Sequence, residues 1–221
     1  MEEAFVTRAV VAPRPWDARL ARRLILPLVP TAVTPNHLTT VRLLVGIGAV
    51  LAFAKGGYGW GNFGALLFAL SNFLDHTDGE LARLSGKTSR FGHWYDLASD
   101  ALIHVMIFAA IGMGLRDDPA VAWDDGFVRW ALPLGAVAGA AISLCFYLRM
   151  RIEDRLGKTA TQLPALGGFE IEDVLYLLPL VALVDGLKPL LAAAAIGAPL
   201  FALWVIAEYL RLPRRPTASL R

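Results

Sequence analysis

Residues 62–84 read NFGALLFALSNFLDHTDGELARL and residues 93–115 read HWYDLASDALIHVMIFAAIGMGL. Each run is apolar over most of its length, and each carries acidic residues at the end nearest the short polar link between them. A helix needs about 20 mainly apolar residues to cross a ~30 Å hydrocarbon core. Both runs meet that length, so the stretch predicts two membrane helices joined by a turn, with carboxylates gathered at one membrane face.

The flanking sequence continues the pattern. Apolar run length and Gly, Pro and charge punctuation predict six spans, at Thr39–Ala54, Asn62–Leu84, His93–Leu115, Phe127–Met150, Ile171–Val184 and Pro189–Leu212. The fifth is short for a straight span unless it borrows length from the segment holding Glu170, Glu172 and Asp173. Composition agrees: of 221 residues 56% are apolar and 18% charged, with a mean hydropathy of +0.53. That is too hydrophobic and charge-poor for an ordinary soluble domain. The single cysteine, Cys145, lies in an apolar run, so no intrachain disulfide forms and a small buried side chain is expected there. Met1 to Pro15 contain neither an apolar h-region nor a small-residue cleavage site, so no cleaved signal peptide is expected.

An even number of spans puts both termini on one side, and Lys and Arg bias says which. The N-terminal segment with Arg42 holds six basic residues, the 2–3 link three, the 4–5 link four and the C-terminus four, whereas Lys55, Arg116, Arg129 and Lys188 are the four on the other side. Termini and acidic link are therefore expected in the cytoplasm, and the chain in the cytoplasmic (inner) membrane. Before the first span, Trp16, Leu20, Leu24 and Ile25 recur near helical spacing with Asp17, Arg19, Arg22 and Arg23 between them. This suits a short interfacial helix on the cytoplasmic leaflet, ended by Pro27, or alternatively an ordinary basic juxtamembrane segment. Pro30, Pro35 and Asn36 mark the turn into the first span. The expected fold is an all-α polytopic membrane protein: an N-terminal segment with the interfacial helix (1–38), one six-helix membrane domain (39–212) and a basic tail (213–221). No nucleic-acid partner is expected.

Within the acidic stretch, Asp75 and Asp78 are three apart on one helix and Asp96 and Asp100 four apart on the next, so each pair shares a helical face. Four carboxylates converging at a membrane boundary repel one another and are costly to desolvate unless cations neutralise them. An oxygen-only ligand set favours hard ions such as Mg²⁺ or Mn²⁺, and two of them balance four aspartates. A zinc-type His/Cys cluster is absent, and Asp78-Gly79-Glu80 lacks the alternating ligands of an EF-hand. Gly79 costs about 1 kcal/mol relative to alanine in a helix interior, which argues for a ligand approaching the backbone. Ala82 keeps the next turn small, Gly92 opens the partner helix, and Arg83 offers a guanidinium for a phosphate oxygen.

These residues match the signature D-x₂-D-G-x₂-A-R-x₈-G-x₃-D-x₃-D of the CDP-alcohol phosphotransferase (CDP-alcohol phosphatidyltransferase) family without a departure. The six-helix plan, the interfacial helix and the Thr34-Pro35-Asn36-His-Leu38-Thr39 stretch are also similar to that family. The resemblance implies a metal-dependent transferase of substituted phosphate groups, passing such a group from a CDP-alcohol to an acceptor hydroxyl and releasing CMP, in phospholipid or inositol-phosphate-type synthesis. It implies that Asp75, Asp78 and Asp96 bind Mg²⁺ or Mn²⁺, that Asp100 completes a second metal site and serves as general base, and that Gly79, Ala82, Arg83 and Gly92 contact the CDP moiety. A lipid or polar alcohol acceptor, contact with membrane lipids and a homodimer are implied as well. The Asp78-Gly79-Glu80 form resembles members that handle inositol phosphates.

Other polar residues carry alternatives. His76 and His93 border the motif as substrate contacts or as spacers, and His104 stands one turn beyond Asp100 as a hydrogen-bond partner or a packing residue. Arg149, Arg151 and Arg155 suit an anionic acceptor or the general positive-inside bias; Glu170, Glu172 and Asp173 make a weaker case for substrate hydroxyls. Glu208 and Asp185 sit near predicted helix ends, where solvation explains them. The rival function is a cation transporter or channel using the aspartates as an ion site; a non-enzymatic scaffold leaves their spacing unexplained.

Overall fold

The computed structural model describes residues 16–117, 126–156 and 175–212. In chain order these form α1 (Trp16–Ile25), a 3-10 turn (Leu26–Leu28), α2 (Pro35–Lys55), α3 (Tyr58–Ser85), α4 (Arg90–Asp117), α5 (Gly126–Leu156), α6 (Leu178–Leu183) and α7 (Leu187–Arg211). Among the described residues there is no strand. Four helices, α2, α4, α5 and α7, are long and apolar enough to cross a membrane. α3, with 28 residues, is as long as α4, but Gly59, Gly61, Asn62, Gly64, Ser71 and Asn72 dilute its apolar face before the acids begin.

An all-helical chain is borne out among the described residues, but four membrane-length apolar helices stand where six spans were expected, and several helix ends are shifted. α2 starts at Pro35 rather than Thr39, because proline is well placed in the first helical turn, where its missing N–H costs nothing. His37 Nδ1 there accepts the Thr34 backbone N–H at 3.2 Å. Pro27 sits in the 3-10 turn that follows α1, as its ring requires. α5 runs on to Leu156, past the expected end at Met150, and so takes up Arg151 and Arg155. The fifth expected span is described only in its later part, where α6 is six residues long. Its beginning, with Glu170, Glu172 and Asp173, lies outside the described residues, as do Met1 to Pro15, Lys158 and the tail from residue 213.

In a bilayer, helix association relies on close packing at small residues rather than on a hydrophobic drive between helices. α5 approaches α4 in this way: a Cβ added at Gly139 would lie 2.7 Å from both the His104 carbonyl oxygen and Val105 Cα. The main core joins Phe53 of α2, Phe68 of α3, Ile107 and Ile111 of α4 and Leu191 of α7. A second cluster of Cys145, Leu148, Ile152, Ala202 and Val205 seals α5 against α7, so Cys145 is the buried small side chain expected. α1 packs on α3 through buried Ala21 and Ile25, while Leu20 and Leu24 are exposed.

The packing order matters for the site. α2 packs along α3 and along α4, whereas α3 and α4, although consecutive, do not pack along each other. The link between them is short: Gly86 adopts φ 67° as the left-handed cap of α3, a conformation that glycine takes without a Cβ penalty. Lys87 Nζ then donates to the carbonyls of Thr31 at 2.6 Å and Val33 at 3.2 Å, pinning the link to the segment before α2.

Candidate metal centre

At the end of the bundle where α3 meets α4, Asp75, Asp78 and Asp96 each offer a carboxylate oxygen, all within 4.8 Å of one another. Two oxygens bound to one Mg²⁺ are separated by at most about 4.2 Å, twice the ligand distance. Small side-chain rotations close that gap, so the donor set fits a hard divalent ion. Asp100 stands one turn beyond Asp96 and outside this tight trio. Its Oδ1 lies 3.5 Å from Arg42 Nη1 and 3.3 Å from His104 Nδ1.

α2 supplies the remainder of the centre. Thr39 and Arg42, one helical turn apart, are both buried. Thr39 Oγ1 donates to Asp78 Oδ2 at 2.7 Å. Arg42 Nη1 donates to Asp75, and Nη2 donates at 3.1 Å both to Asp96 Oδ1 and to the Asp96 carbonyl. Ser71 Oγ donates to the Arg42 carbonyl at 3.1 Å, locking α3 to α2 at this level. Sequence reasoning missed this contribution, gathering the carboxylates from the two acidic helices alone and counting Arg42 only toward topology. An ionisable residue eight positions into an apolar helix was the available signal, since such residues face partners or sites.

The residues expected at the CDP moiety lie on the same two helices as the trio. Arg83 is exposed, folds back so that its guanidinium would meet a Cβ on Gly79 at 3.5 Å, and donates to Glu80 Oε1 at 3.1 Å. Glu80 is itself buried and lies 3.9 Å from Arg22 of α1. Ala82 is half-buried one turn from Asp78. Gly92 also has a packing reason: a Cβ there would come within 2.7 Å of Asn36 Oδ1 at the start of α2.

The neighbouring candidates separate. His104 is buried, and its Nδ1 donates to the Asp100 carbonyl at 2.9 Å while its ring packs edge-on against Phe68 and Phe146. Hydrogen-bond partner and packing residue thus both describe it. His76 bonds to the Asn72 carbonyl, and His93 stays exposed beside Trp94. Arg149 Nη1 lies 3.3 Å from Glu208 Oε2, which corrects the solvation reading of Glu208. Arg155 donates to the Tyr209 hydroxyl at 2.6 Å. Both arginines clamp α5 to α7. Asp185 is exposed in the α6–α7 turn at φ 56°. A mostly apolar cavity of about 360 Å³ opens between α4 and α5, lined by Asp100, Trp94, Leu97, Ser143, Phe146 and Tyr147 among others.

A helical bundle with several membrane-length apolar helices fits an integral membrane protein, and Asp75, Asp78 and Asp96 are close enough to share a metal ion. The chain belongs to the CDP-alcohol phosphatidyltransferase family, whose sequence profile matches residues 32–207. It is 30% identical over 126 residues to archaetidylinositol phosphate synthase of Pyrococcus horikoshii, covering 57% of this chain and 58% of that one. It is 31% identical over 106 residues to the bifunctional IPC transferase and DIPP synthase of Aquifex aeolicus, covering 48% and 22%. With phosphatidylinositol phosphate synthase of Streptomyces avermitilis it shares 32% identity over 111 residues, covering 50% and 40%. The chain thus spans between about a fifth and three-fifths of the length of these relatives. The transporter reading finds no support. Among the described residues the buried polar side chains Thr39, Arg42, Ser71, Thr77, Asp78, Glu80, Ser99 and His104 gather around the aspartates rather than marking a path through the bundle.

Proposed function

We propose that this chain transfers a substituted phosphate group from a CDP-alcohol to an acceptor hydroxyl, releasing CMP and forming a phosphodiester. The observation that carries this reading is the convergence of Asp75, Asp78 and Asp96 within 4.8 Å, in the motif spacing of a family that matches most of the chain. Asp75, Asp78 and Asp96 would hold one divalent ion, and Asp100 would complete a second site. Mg²⁺ or Mn²⁺ bound there supplies neutralisation of the diphosphate and of the departing CMP. Gly79, Ala82, Arg83 and Gly92 orient the CDP moiety, with the Arg83 guanidinium turning from Glu80 to a phosphate oxygen.

The new bond joins the acceptor oxygen to the phosphorus that carries the donor alcohol. The bond from that phosphorus to the bridging oxygen breaks, CMP leaves with the electron pair, and Asp100 takes the acceptor proton. The cavity beside Asp100 gives an acceptor room to bring its hydroxyl there. Relatives named archaetidylinositol phosphate synthase and phosphatidylinositol phosphate synthase support an inositol-phosphate-type substrate and a role in phospholipid synthesis.

The working organisation is one membrane domain over residues 39–212, with six spans, flanked by segments 1–38 and 213–221 and acting as a homodimer. α1 lies on the cytoplasmic leaflet with exposed Arg19 and Arg23 toward anionic headgroups, and both termini and the centre face the cytoplasm, as the Lys and Arg distribution favours. The test is CMP release by purified protein offered a panel of CDP-alcohols and acceptor alcohols. Release that requires one donor and one acceptor together supports the reading, and no release from any pairing overturns it.

A further inference from the structure

Among the described residues Arg42 places a cation inside the acidic centre, and the reaction above assigns it no role. The Arg42 side chain is only 4% exposed, and its fork is spent almost wholly on acids: Nη1 on Asp75 and Asp100, Nη2 on the carboxylate and carbonyl of Asp96. These acids belong to α3 and α4, which do not pack along each other, so one guanidinium from the intervening helix joins them. We propose that Arg42 is a positioning residue that serves as the built-in counter-cation of the centre: it holds Asp75, Asp96 and Asp100 assembled in the metal-free protein and competes with divalent ions for the same oxygens. The proposal rests on the metal-centre reading and deepens it.

Both sides of the balance point the same way. A guanidinium inside an apolar helix bundle is costly unless paired, and four formal negative charges without it are costly too. With Arg42 the group carries a formal charge of −3, and without it −4. Asp75 and Asp96 are two of the three residues whose oxygens lie at ion-sharing distance, so Arg42 and an ion draw on common ligands. Deleting the positive charge therefore acts in opposite directions on two observables. The metal-free protein loses its cross-link and leaves its carboxylates to repel, while the attraction of the site for a divalent cation grows. A residue that merely built the ligand geometry would weaken both together.

The experiment follows unfolding of the full chain in detergent by tryptophan fluorescence during titration with Mn²⁺ alone, for the parent, Arg42→Met and Arg42→Lys. Arg42→Met should unfold at a lower Tm without metal, regain stability as Mn²⁺ is added, and reach half-effect at a Mn²⁺ concentration at least ~10-fold below the parent's. Arg42→Lys keeps the charge and loses the planar fork, so its metal-free Tm should fall while its Mn²⁺ midpoint stays within ~3-fold of the parent's. If Arg42→Met cannot be recovered folded, the lysine variant decides by the same two readings. A Mn²⁺ midpoint that rises in Arg42→Met, a lysine variant whose midpoint shifts beyond that range, or metal-free Tm values equal to the parent's overturn the proposal. A parent that shows no response to Mn²⁺ overturns the metal centre itself, which separates that failure from a failure of the role given to Arg42.

Discussion

Thr39 Oγ1 donates a 2.7 Å hydrogen bond to Asp78 Oδ2, joining the second turn of α2 to the most buried of the four aspartates. The bond ties one oxygen of that carboxylate to α2 from 39 positions away in sequence. A hydrogen bond to a charged group contributes about 1.5–3 kcal/mol. Thr39→Val keeps the shape and removes the donor, so the Mn²⁺ concentration for half-maximal CMP release should rise ~10-fold or more, and Thr39→Ser should restore the parent value. Identical metal curves for the valine variant and the parent would remove Thr39 from the centre.

Gly79 separates a structural from a functional reason for glycine. A Cβ there meets nothing closer than the Arg83 guanidinium at 3.5 Å, an ordinary contact with a flexible side chain. Gly79→Ala should therefore stabilise the helix by up to ~1 kcal/mol, seen as a higher Tm, while KM for the CDP-alcohol rises. A Tm gain with unchanged KM would show that the space is not used by the donor.

Asp100 stands apart from the Asp75, Asp78 and Asp96 trio and lines the cavity between α4 and α5. General-base catalysis typically contributes ~10²–10⁴-fold. Asp100→Asn should bind the CDP-alcohol in the presence of metal nearly as well as the parent and turn over at least ~100-fold more slowly. Asp96→Asn should instead lose metal-dependent donor binding. Equal losses of donor binding in the two variants would make Asp100 a ligand only.

Orientation is tested independently of chemistry. With 17 of the 21 Lys and Arg on the side assigned to the cytoplasm, a Ser219→Cys substitution in a Cys145→Ala background should resist a membrane-impermeant thiol reagent applied to intact cells. Ready labelling would reverse the topology and place the centre away from cytosolic nucleotides.

The parts of the site carried by local spacing were legible in the sequence. Asp75 and Asp78 on one helical face and Asp96 and Asp100 on another follow from helical periodicity. Thr39 was not legible as a site residue, and Arg42 only as a charge in an apolar helix that needs a partner, because their contacts depend on α2 lying between α3 and α4, a tertiary arrangement that consecutive order conceals. Glu208 was misread for the same reason: its Arg149 partner lies 59 positions away on α5. The positive-inside count was itself a distraction, since it gave Arg42 a sufficient explanation at the membrane surface while its guanidinium lies buried among aspartates.

The central claim is that Asp75, Asp78 and Asp96 form a divalent-metal centre that drives transfer from a CDP-alcohol. The most direct measurement is CMP release by the purified full chain as Mg²⁺ or Mn²⁺ is titrated after chelation, for the parent beside Asp75→Asn, Asp78→Asn and Asp96→Asn, each verified as folded and membrane-inserted. Release should be absent in excess chelator, return with either ion in the parent, and remain nearly abolished in all three variants at every metal concentration. Full release in excess chelator, or parent-like metal curves from any of the three variants, would contradict it.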